Sequence, residues 1–456
     1  MHEKLKNLIP APLVRLANAC DKPLYLVGGS VRDTIAGLTP NNGAYDLDIC
    51  SPMPFEEFLS LATTVGLKAR SIFKNTGTVK LTDKYGNEYE YCSFRSDKYI
   101  RGTHVPVETF FTDDIELDAR RRDFTANAVY YDIKRDTIVD PLDGVTAIKK
   151  KRLTTVADSE KVFGEDGLRL MRLARQAACL GFTPDTECLL GAKQNAILID
   201  DISPERIFTE LTHILSADEK YGQADGVYRG LKLLDETGVL ARLIPDLTLG
   251  KGMTQRADFH KYDVLEHSLR AAAYADKQVR LACLLHDIGK PLCSLRDGNS
   301  YAHPKEGAAL AKAVLQRFKA PKKDIQRIPA LVEWHMYDLD CKTSEKKLRR
   351  FFVAHLDILE ELLLVKQADF SACMDDFSIA PTVKRWEDLL DKMKAEGAPL
   401  RIKDLALTGK DILDLGITES KIATVLNALL THAAVNPTDN NKQRLSTLAL
   451  GFAKTL

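Results

Sequence analysis

The spacing of hydrophobic residues changes character near residue 150. Ahead of that point, short runs with a two-residue period alternate with runs of helical period. Leu24–Val27 reads as a strand ended by Gly28-Gly29, Val31–Leu38 as a helix, and Tyr45–Cys50 as an alternating strand. Phe55–Val65 places Phe55, Phe58, Leu59 and Ala62 on one helical face. Val79–Leu81 and Glu88–Phe94, joined through Tyr85-Gly86-Asn87, predict a β-hairpin, and Ile138–Pro141 predicts a last short strand or turn. After Lys149-Lys150-Lys151-Arg152 the period is helical almost throughout. Asp158–Leu180 reads as one long helix, acidic early and stopped by Gly181. Further helices are expected at Pro204–Leu215, Val227–Thr237, Val264–His286, Lys305–Phe318, Lys322–His335, Ser344–Ala354 and Leu356–Ala368. Leu405–Phe452 holds two or three more, with turns at Gly409 and Gly416. The pattern predicts an α+β chain: an α/β head over residues 1–150 followed by a long all-α body.

Composition narrows the class without naming a function. The chain has 456 residues, 45% hydrophobic and 28% charged, with 64 basic residues balanced by 64 acidic ones. That balance fits a soluble multidomain protein and argues against a disordered or fibrous one. No run approaches the roughly 18 apolar residues of a membrane span, and the first residues lack the apolar stretch of a signal peptide. The nine cysteines are scattered and never spaced Cys-x-x-Cys. A disulfide framework or zinc ribbon is therefore not expected, and a reducing cytoplasm is the default location. A zero net charge neither favours nor excludes nucleic acid, because a basic stripe fits within a neutral total.

Candidate chemistry gathers in the head. Gly28-Gly29-Ser30-Val31-Arg32-Asp33 lies where a strand feeds a helix. Such a turn admits a phosphate close to the backbone, with helix N–H groups and Arg32 as donors. Asp46-Leu47-Asp48 follows on a strand, where side chains two apart share a face and can hold the same pair of Mg²⁺ ions. Two hard cations are what in-line phosphoryl or nucleotidyl transfer uses. Arg120-Arg121-Arg122-Asp123-Phe124-Thr125-Ala126-Asn127-Ala128 suggests a helix whose charged start meets an anionic ligand.

These three head motifs resemble those of the class II tRNA nucleotidyltransferase / poly(A) polymerase family. Two more motifs match in family order: Glu165-Asp166-Gly167-Leu168-Arg169 and Ser203-Pro204-Glu205-Arg206-Ile207. The resemblance implies a polymerase β-like head in which Asp46 and Asp48 bind Mg²⁺. Gly28, Gly29, Ser30, Arg32 and Arg122 cradle the nucleotide in that picture, with Asp123 and Asn127 near the ribose. It also assigns a templating role to Asp166 and Arg169, which lie three apart and share a face of the expected helix. CTP and ATP carry an exocyclic amine beside a ring acceptor, whereas UTP and GTP carry a carbonyl there. A carboxylate and a guanidinium together therefore favour C and A. Arg172 and Arg175 continue that face toward phosphate.

The implied reaction is addition of CCA to the 3′ end of tRNA from CTP and ATP, with pyrophosphate leaving. Two departures from the family pattern stand out. The span from Arg32 to Asp46 is a few residues longer than usual, and Ala44-Tyr45 replaces the basic residue that commonly precedes the carboxylates. The segment from Arg95 to Glu116 corresponds to the family's flexible loop and is full length, which favours complete CCA addition. CC-only addition, A-only addition and poly(A) synthesis remain as alternatives, although the tail lacks the strongly basic character expected of a poly(A) polymerase.

The body carries a second constellation. His267, His286-Asp287, His303, His335 and Asp369 recur in the order of HD-domain metal-dependent phosphohydrolases, which they resemble. By that resemblance His267, His286, Asp287 and Asp369 bind one metal, and His303 with His335 either add a second or contact phosphate. Mixed imidazole and carboxylate ligands suit Mn²⁺, Ni²⁺, Co²⁺ or Zn²⁺. The implied activity is hydrolysis of 2′,3′-cyclic or terminal phosphates at RNA ends. An alternative is a protein that is chiefly this phosphohydrolase, with a head that only binds RNA. The tail carries no catalytic cluster, and its Gly409 and Gly416 turns fit either RNA backbone contact or helical packing.

Overall fold

The computed structural model describes residues 2–101 and 106–455. The chain forms two compact units, one reaching to Thr248 and including Arg317–Ala320, the other comprising Leu249–Gln316 and the chain from Pro321 onward.

The first unit is built on a seven-stranded sheet. Its strands are β1 (Tyr25–Val27), β2 (Leu47–Ser51), β3 (Lys68–Phe73), β4 (Thr78–Thr82), β5 (Glu88–Ser93), β8 (Tyr130–Asp132) and β9 (Thr137–Val139). A separate pair, β6 (Arg95–Lys98) and β7 (Glu108–Phe111), forms an antiparallel ribbon. The sheet order is β3-β4-β5-β2-β1-β8-β9, with β2 and β5 parallel and the other pairs antiparallel. The inner strand β1 is buried along its whole length, which is why it reads as an unbroken apolar run. Around it Tyr25, Val27, Cys50, Phe94, Ala128 and Tyr130 pack into one core, with Tyr25 stacked on Phe94 at 5.8 Å and edge-on to Tyr130 at 5.9 Å. Each large side chain buried there contributes roughly 1.5–3 kcal/mol. The Phe55–Thr64 helix buries Phe55, Phe58 and Ala62 as its spacing predicts.

Three expectations are corrected by the structure. Asp158–Leu180 is two helices, Ser159–Glu165 and Leu168–Leu180, broken at Asp166-Gly167. Asp166 turns to an extended conformation (φ −143°, ψ 105°), and its Oδ1 accepts the Leu168 N–H at 2.9 Å. Gly167 packs so closely on Leu198 that an added Cβ would lie 2.5 Å from that carbonyl oxygen. The arginine run closes a helix, Ile115–Arg120, and does not open one; only a single 3₁₀ turn, Thr125–Asn127, follows before β8. Val264–His286 also divides, into Val264–Tyr274 and Arg280–Leu285, with Ala275 extended between them.

The second unit is helical among its described residues. The helices that matter for its site are Val264–Tyr274, Arg280–Leu285, His303–Arg317, Lys322–Trp334 and Leu356–Met374. The tail contains Gly409–Asp414, Glu419–Val435 and Lys442–Thr455, which close on a core of Leu407, Ile412, Val425, Leu429, Ala433 and Leu445.

Candidate functional site: two metal-ligand clusters

At the head, β1 ends in Gly28 with φ 80°, and the Gly29–Ala36 helix starts at once. A side chain at Gly28 would be strained at that φ and would sit 3.3 Å from Asp48 Oδ2. Asp48 lies on β2 beside Glu90, its register partner on β5. Together with Arg95, Arg121 and Arg122 they line a recess of about 170 Å³. Asp46 stands immediately before β2 and not on it, largely exposed, with Lys220 Nζ 3.5 Å away. The Asp48 carboxyl is pushed up to about 6 by desolvation in the recess and by Glu90 and Asp46, against the pull of Arg122 and Arg172. A cluster of carboxylates that resist ionising together is a fit for a hard divalent cation, whose charge relieves them.

Glu90 was not singled out by its sequence context. Its signal is the alternation Glu88-Tyr89-Glu90-Tyr91, which buries both tyrosines and turns both acids the other way.

The remaining head residues interlock. Buried Arg32 donates to Asp33 at 2.8 Å and to Asn127 at 2.7 Å. Asn127 donates in turn to Asp123 at 2.7 Å, and Arg172 Nε reaches the other oxygen of Asp123 at 2.7 Å. Burial opposes the Asp123 charge, yet Arg172 and Asn127 hold its carboxyl well below the usual range. Arg122 is fixed by Asp118 at 3.0 Å and the Tyr130 hydroxyl at 3.2 Å. Ser30 is buried on the same helix as Arg32. Arg175 pairs with Glu210 at 2.6 Å.

The helix break changes the geometry expected of Asp166 and Arg169. Asp166 lies in the break and Arg169 in the first turn of the next helix, so the two do not share one continuous helical face. The Arg169 guanidinium donates to the carbonyls of Val162 at 2.8 Å and Arg121 at 2.7 Å and to Glu165 at 3.2 Å, with the Tyr99 ring 5.6 Å away. Burial raises the Asp166 carboxyl to about 6 despite Arg169 and the Leu168 N–H. Of the Arg95–Glu116 segment, residues 102–105 lie outside the described residues, Arg95–Lys98 and Glu108–Phe111 pair as the β6–β7 ribbon, and Ile115-Glu116 open the helix that follows.

In the second unit, residues scattered over a hundred positions converge. His267 Nε2 lies 3.1 Å from His286 Nε2 and 3.0 Å from Asp369 Oδ1. Asp287 faces two ways: Oδ2 is 3.3 Å from His286 Nε2, and Oδ1 is 3.2 Å from His303 Nε2 and 3.7 Å from His335 Nε2. His303 and His335 are themselves 3.3 Å apart through Nε2. Three of the rings are locked from behind, because Nδ1 of His286, His303 and His335 meets the carbonyls of Cys283, Ser300 and Val332 at 2.6 Å each. Donating Nδ1–H there aims each Nε2 lone pair inward, the usual preparation of a metal-ligating histidine. Burial drives His335 down to about 4, into the neutral form a metal accepts. For His286 burial acts the same way, but Asp287 and Asp369 outweigh it. Paired lone pairs with buried carboxylates between them fit a divalent cation better than they fit one another. The donors form overlapping sets, His267/His286/Asp287, His286/His335/Asp369 and Asp287/His303/His335, with Asp369 also 3.0 Å from His267.

Fold and sites together define a nucleotidyltransferase head joined to an HD-type metal domain. The family model for the Poly A polymerase head domain matches residues 24–154. The model described as "Probable RNA and SrmB- binding site of polymerase A" matches 181–249, and that for the HD domain matches 260–370. The A-adding tRNA nucleotidyltransferase of Deinococcus radiodurans is 31% identical over 430 residues, covering 89% of this chain and 90% of that one. The CCA-adding enzyme of Geobacillus stearothermophilus is 35% identical over 273 residues, 58% of this chain and 59% of that one. The crystal structure of the Bacillus stearothermophilus CCA-adding enzyme in complex with CTP shares the fold, with a TM-score of 0.68 at 24% identity over 98% of this chain and 99% of that one. The chain belongs to the tRNA nucleotidyltransferase / poly(A) polymerase family and is an enzyme of the nucleotidyltransferase class. Both of its metal domains are of divalent-metal-dependent kinds. No helix among the described residues is long and apolar enough to cross a membrane.

Proposed function

We propose that the enzyme completes the 3′ end of tRNA, adding C, C and A from CTP and ATP. The observation that carries this reading is the carboxylate recess of Asp48 and Glu90 beside Gly28 and Arg122, with Asp46 two residues before Asp48 in the chain. Two Mg²⁺ ions held by Asp46 and Asp48 supply the positive charge that stabilises the reacting phosphate. The primer 3′-hydroxyl attacks the α-phosphate, and pyrophosphate leaves. Gly28 and Gly29 admit the triphosphate against the backbone, with Ser30, Arg32 and Arg122 around it. Asp123 and Asn127 face the ribose, already ordered by Arg172 and Arg32. Arg172 and Arg175 exchange their ion pairs for phosphate contacts. The division into head 1–150, neck 151–215, body 216–375 and tail 376–456 belongs to the same reading, with the tail gripping tRNA.

Asp166 and Arg169 select the base, the carboxylate accepting from the amine and the guanidinium donating to the ring acceptor. Arg169 must first release Val162, Glu165 and the Arg121 carbonyl. One bidentate pair is worth about 1–3 kcal/mol of discrimination. Asp166→Ala or Arg169→Ala is therefore expected to cut the preference for CTP and ATP over UTP and GTP by about 10- to 100-fold. Competition between nucleotides for one primer measures this, and unchanged preference in both variants would refute the template.

A pH dependence follows from the raised Asp166 carboxyl. Only its ionised form accepts from the amine, so the apparent KM for CTP is expected to rise as pH falls through about 6. Asp166→Asn should flatten that limb.

A second reading is A-only addition, favoured by the near full-length likeness to the Deinococcus radiodurans A-adding enzyme. Two primers separate the readings. A CCA-adding enzyme extends a tRNA lacking all three nucleotides, whereas an A-adding enzyme extends only one ending in CC.

To the HD site we assign hydrolysis of 2′,3′-cyclic or terminal phosphates on RNA ends. What supports it is Asp287, placed to bridge the His267/His286/Asp369 set and the His303/His335 pair. Mn²⁺, Ni²⁺, Co²⁺ or Zn²⁺ suits those donors and supplies Lewis-acid polarisation of the phosphoester.

A further inference from the structure

One ring nitrogen in the HD cluster is unlike the rest. His286, His303 and His335 each spend Nδ1 on a carbonyl three residues earlier, but His267 Nδ1 is buried with no hydrogen-bond partner. His267 itself is fully buried, and its Nε2 is already engaged by His286 and Asp369. On the other side of this ring stands His260, edge-on at 5.1 Å, whose Nδ1 is likewise buried and without a partner. Cys373 completes the group, since one donor atom from each of His260, His267 and Cys373 lies within 4.8 Å of the others.

Three separate pieces of chain bring these residues together. Cys373 follows Asp369 by one turn on the Leu356–Met374 helix, so both reach the His267 side of that helix. His267 is on the Val264–Tyr274 helix. His260 is held beside the end of the first helix because the next residue, Lys261, donates its N–H to the Cys373 carbonyl at 2.8 Å.

We propose that His260, His267 and Cys373 form a distinct binding site for a thiophilic divalent cation of the Zn²⁺ or Co²⁺ type, with the His267 ring bridging it to the HD metal cluster. Two nitrogens and one sulfur are the donors such ions prefer, and a fourth position stays open. Ligand separations of up to 4.8 Å close to tetrahedral contact with small side-chain rotations. Binding releases the Cys373 thiol proton to solvent. Where both clusters are filled it also releases the remaining His267 ring proton, so that Nε2 serves one ion and Nδ1 the other. The site cross-links the His260 segment to the helices that carry His267 and Asp369.

Cobalt titration of the full chain, stripped of metal, tests the site directly. Co²⁺ bound to thiolate gives a sulfur-to-metal charge-transfer absorption in the near ultraviolet that nitrogen and oxygen ligands do not give. The band is expected in the wild type, absent in Cys373→Ser, and weakened in His260→Gln, with circular dichroism checking that each variant folds. It is expected to persist in His286→Ala, so that failure of the HD assignment and failure of this site are told apart. A wild type without the band, or a band that survives in Cys373→Ser, would overturn the proposal.

Discussion

Asp48→Ala should lower the rate of nucleotide addition by at least ~10³-fold while leaving the protein folded, since metal stabilisation of phosphoryl charge is worth several kcal/mol and each 1.36 kcal/mol is tenfold. Asp48 lies against Gly28 and beside Glu90 on the next strand. Its carboxyl is pushed up by the recess and by the neighbouring Glu90 and Asp46, as is common where a group is placed for chemistry. Removing it relieves Glu90 and Asp46, so the melting temperature should hold or rise. Asp48→Asn keeps the shape and should lose as much activity, because the missing charge is what matters. Extension rates across a Mg²⁺ titration measure the effect. Full rescue by excess Mg²⁺ would mean that Asp48 only tunes affinity.

The second large effect is expected at Asp287. Asp287→Asn keeps the volume but removes the charge between the two histidine sets. Loss of metal from both sets and a fall of at least ~10³-fold in phosphodiester hydrolysis are expected, with nucleotide addition unaffected. Lys290 lies 2.6 Å from Asp287 and would then face a neutral amide while nearly buried, so some stability should be lost as well. Metal content by mass spectrometry and hydrolysis of a cyclic phosphate separate the two consequences. Hydrolysis at the wild-type rate in Asp287→Asn would show that the HD cluster is not the hydrolytic site.

What the sequence disclosed depended on the range of the interactions involved. The short central strands and the Phe55–Thr64 helix were legible because each buries residues at a local period. The break at Asp166-Gly167 was not, because its causes are the Leu198 carbonyl against Gly167 and the Asp166 carboxylate that captures the Leu168 N–H, and neither disturbs the apolar period on either side. Strand β8 is only three residues long and owes its place to pairing with β1 and β9. Exposed β3 carries no buried face to reveal it. The arginine run misled for a similar reason. Asp118, fully buried, draws Arg121 and Arg122 back onto the end of a helix, a contact invisible to a charge pattern read forward. The six HD residues, in contrast, are legible through an order that resembles HD-domain phosphohydrolases, and the fold brings them into overlapping groups with donor atoms within 4.8 Å. His260 and Cys373 escaped notice because nothing in their spacing ties them to His267.

Whether the head transfers nucleotides one at a time to tRNA is measured most directly by pyrophosphate stoichiometry. Wild-type enzyme, Mg²⁺ and a tRNA lacking its last three nucleotides should release two pyrophosphates per primer with CTP alone and three when ATP is also present. Release that continues indefinitely with ATP alone, or no release with any nucleotide, would contradict such transfer.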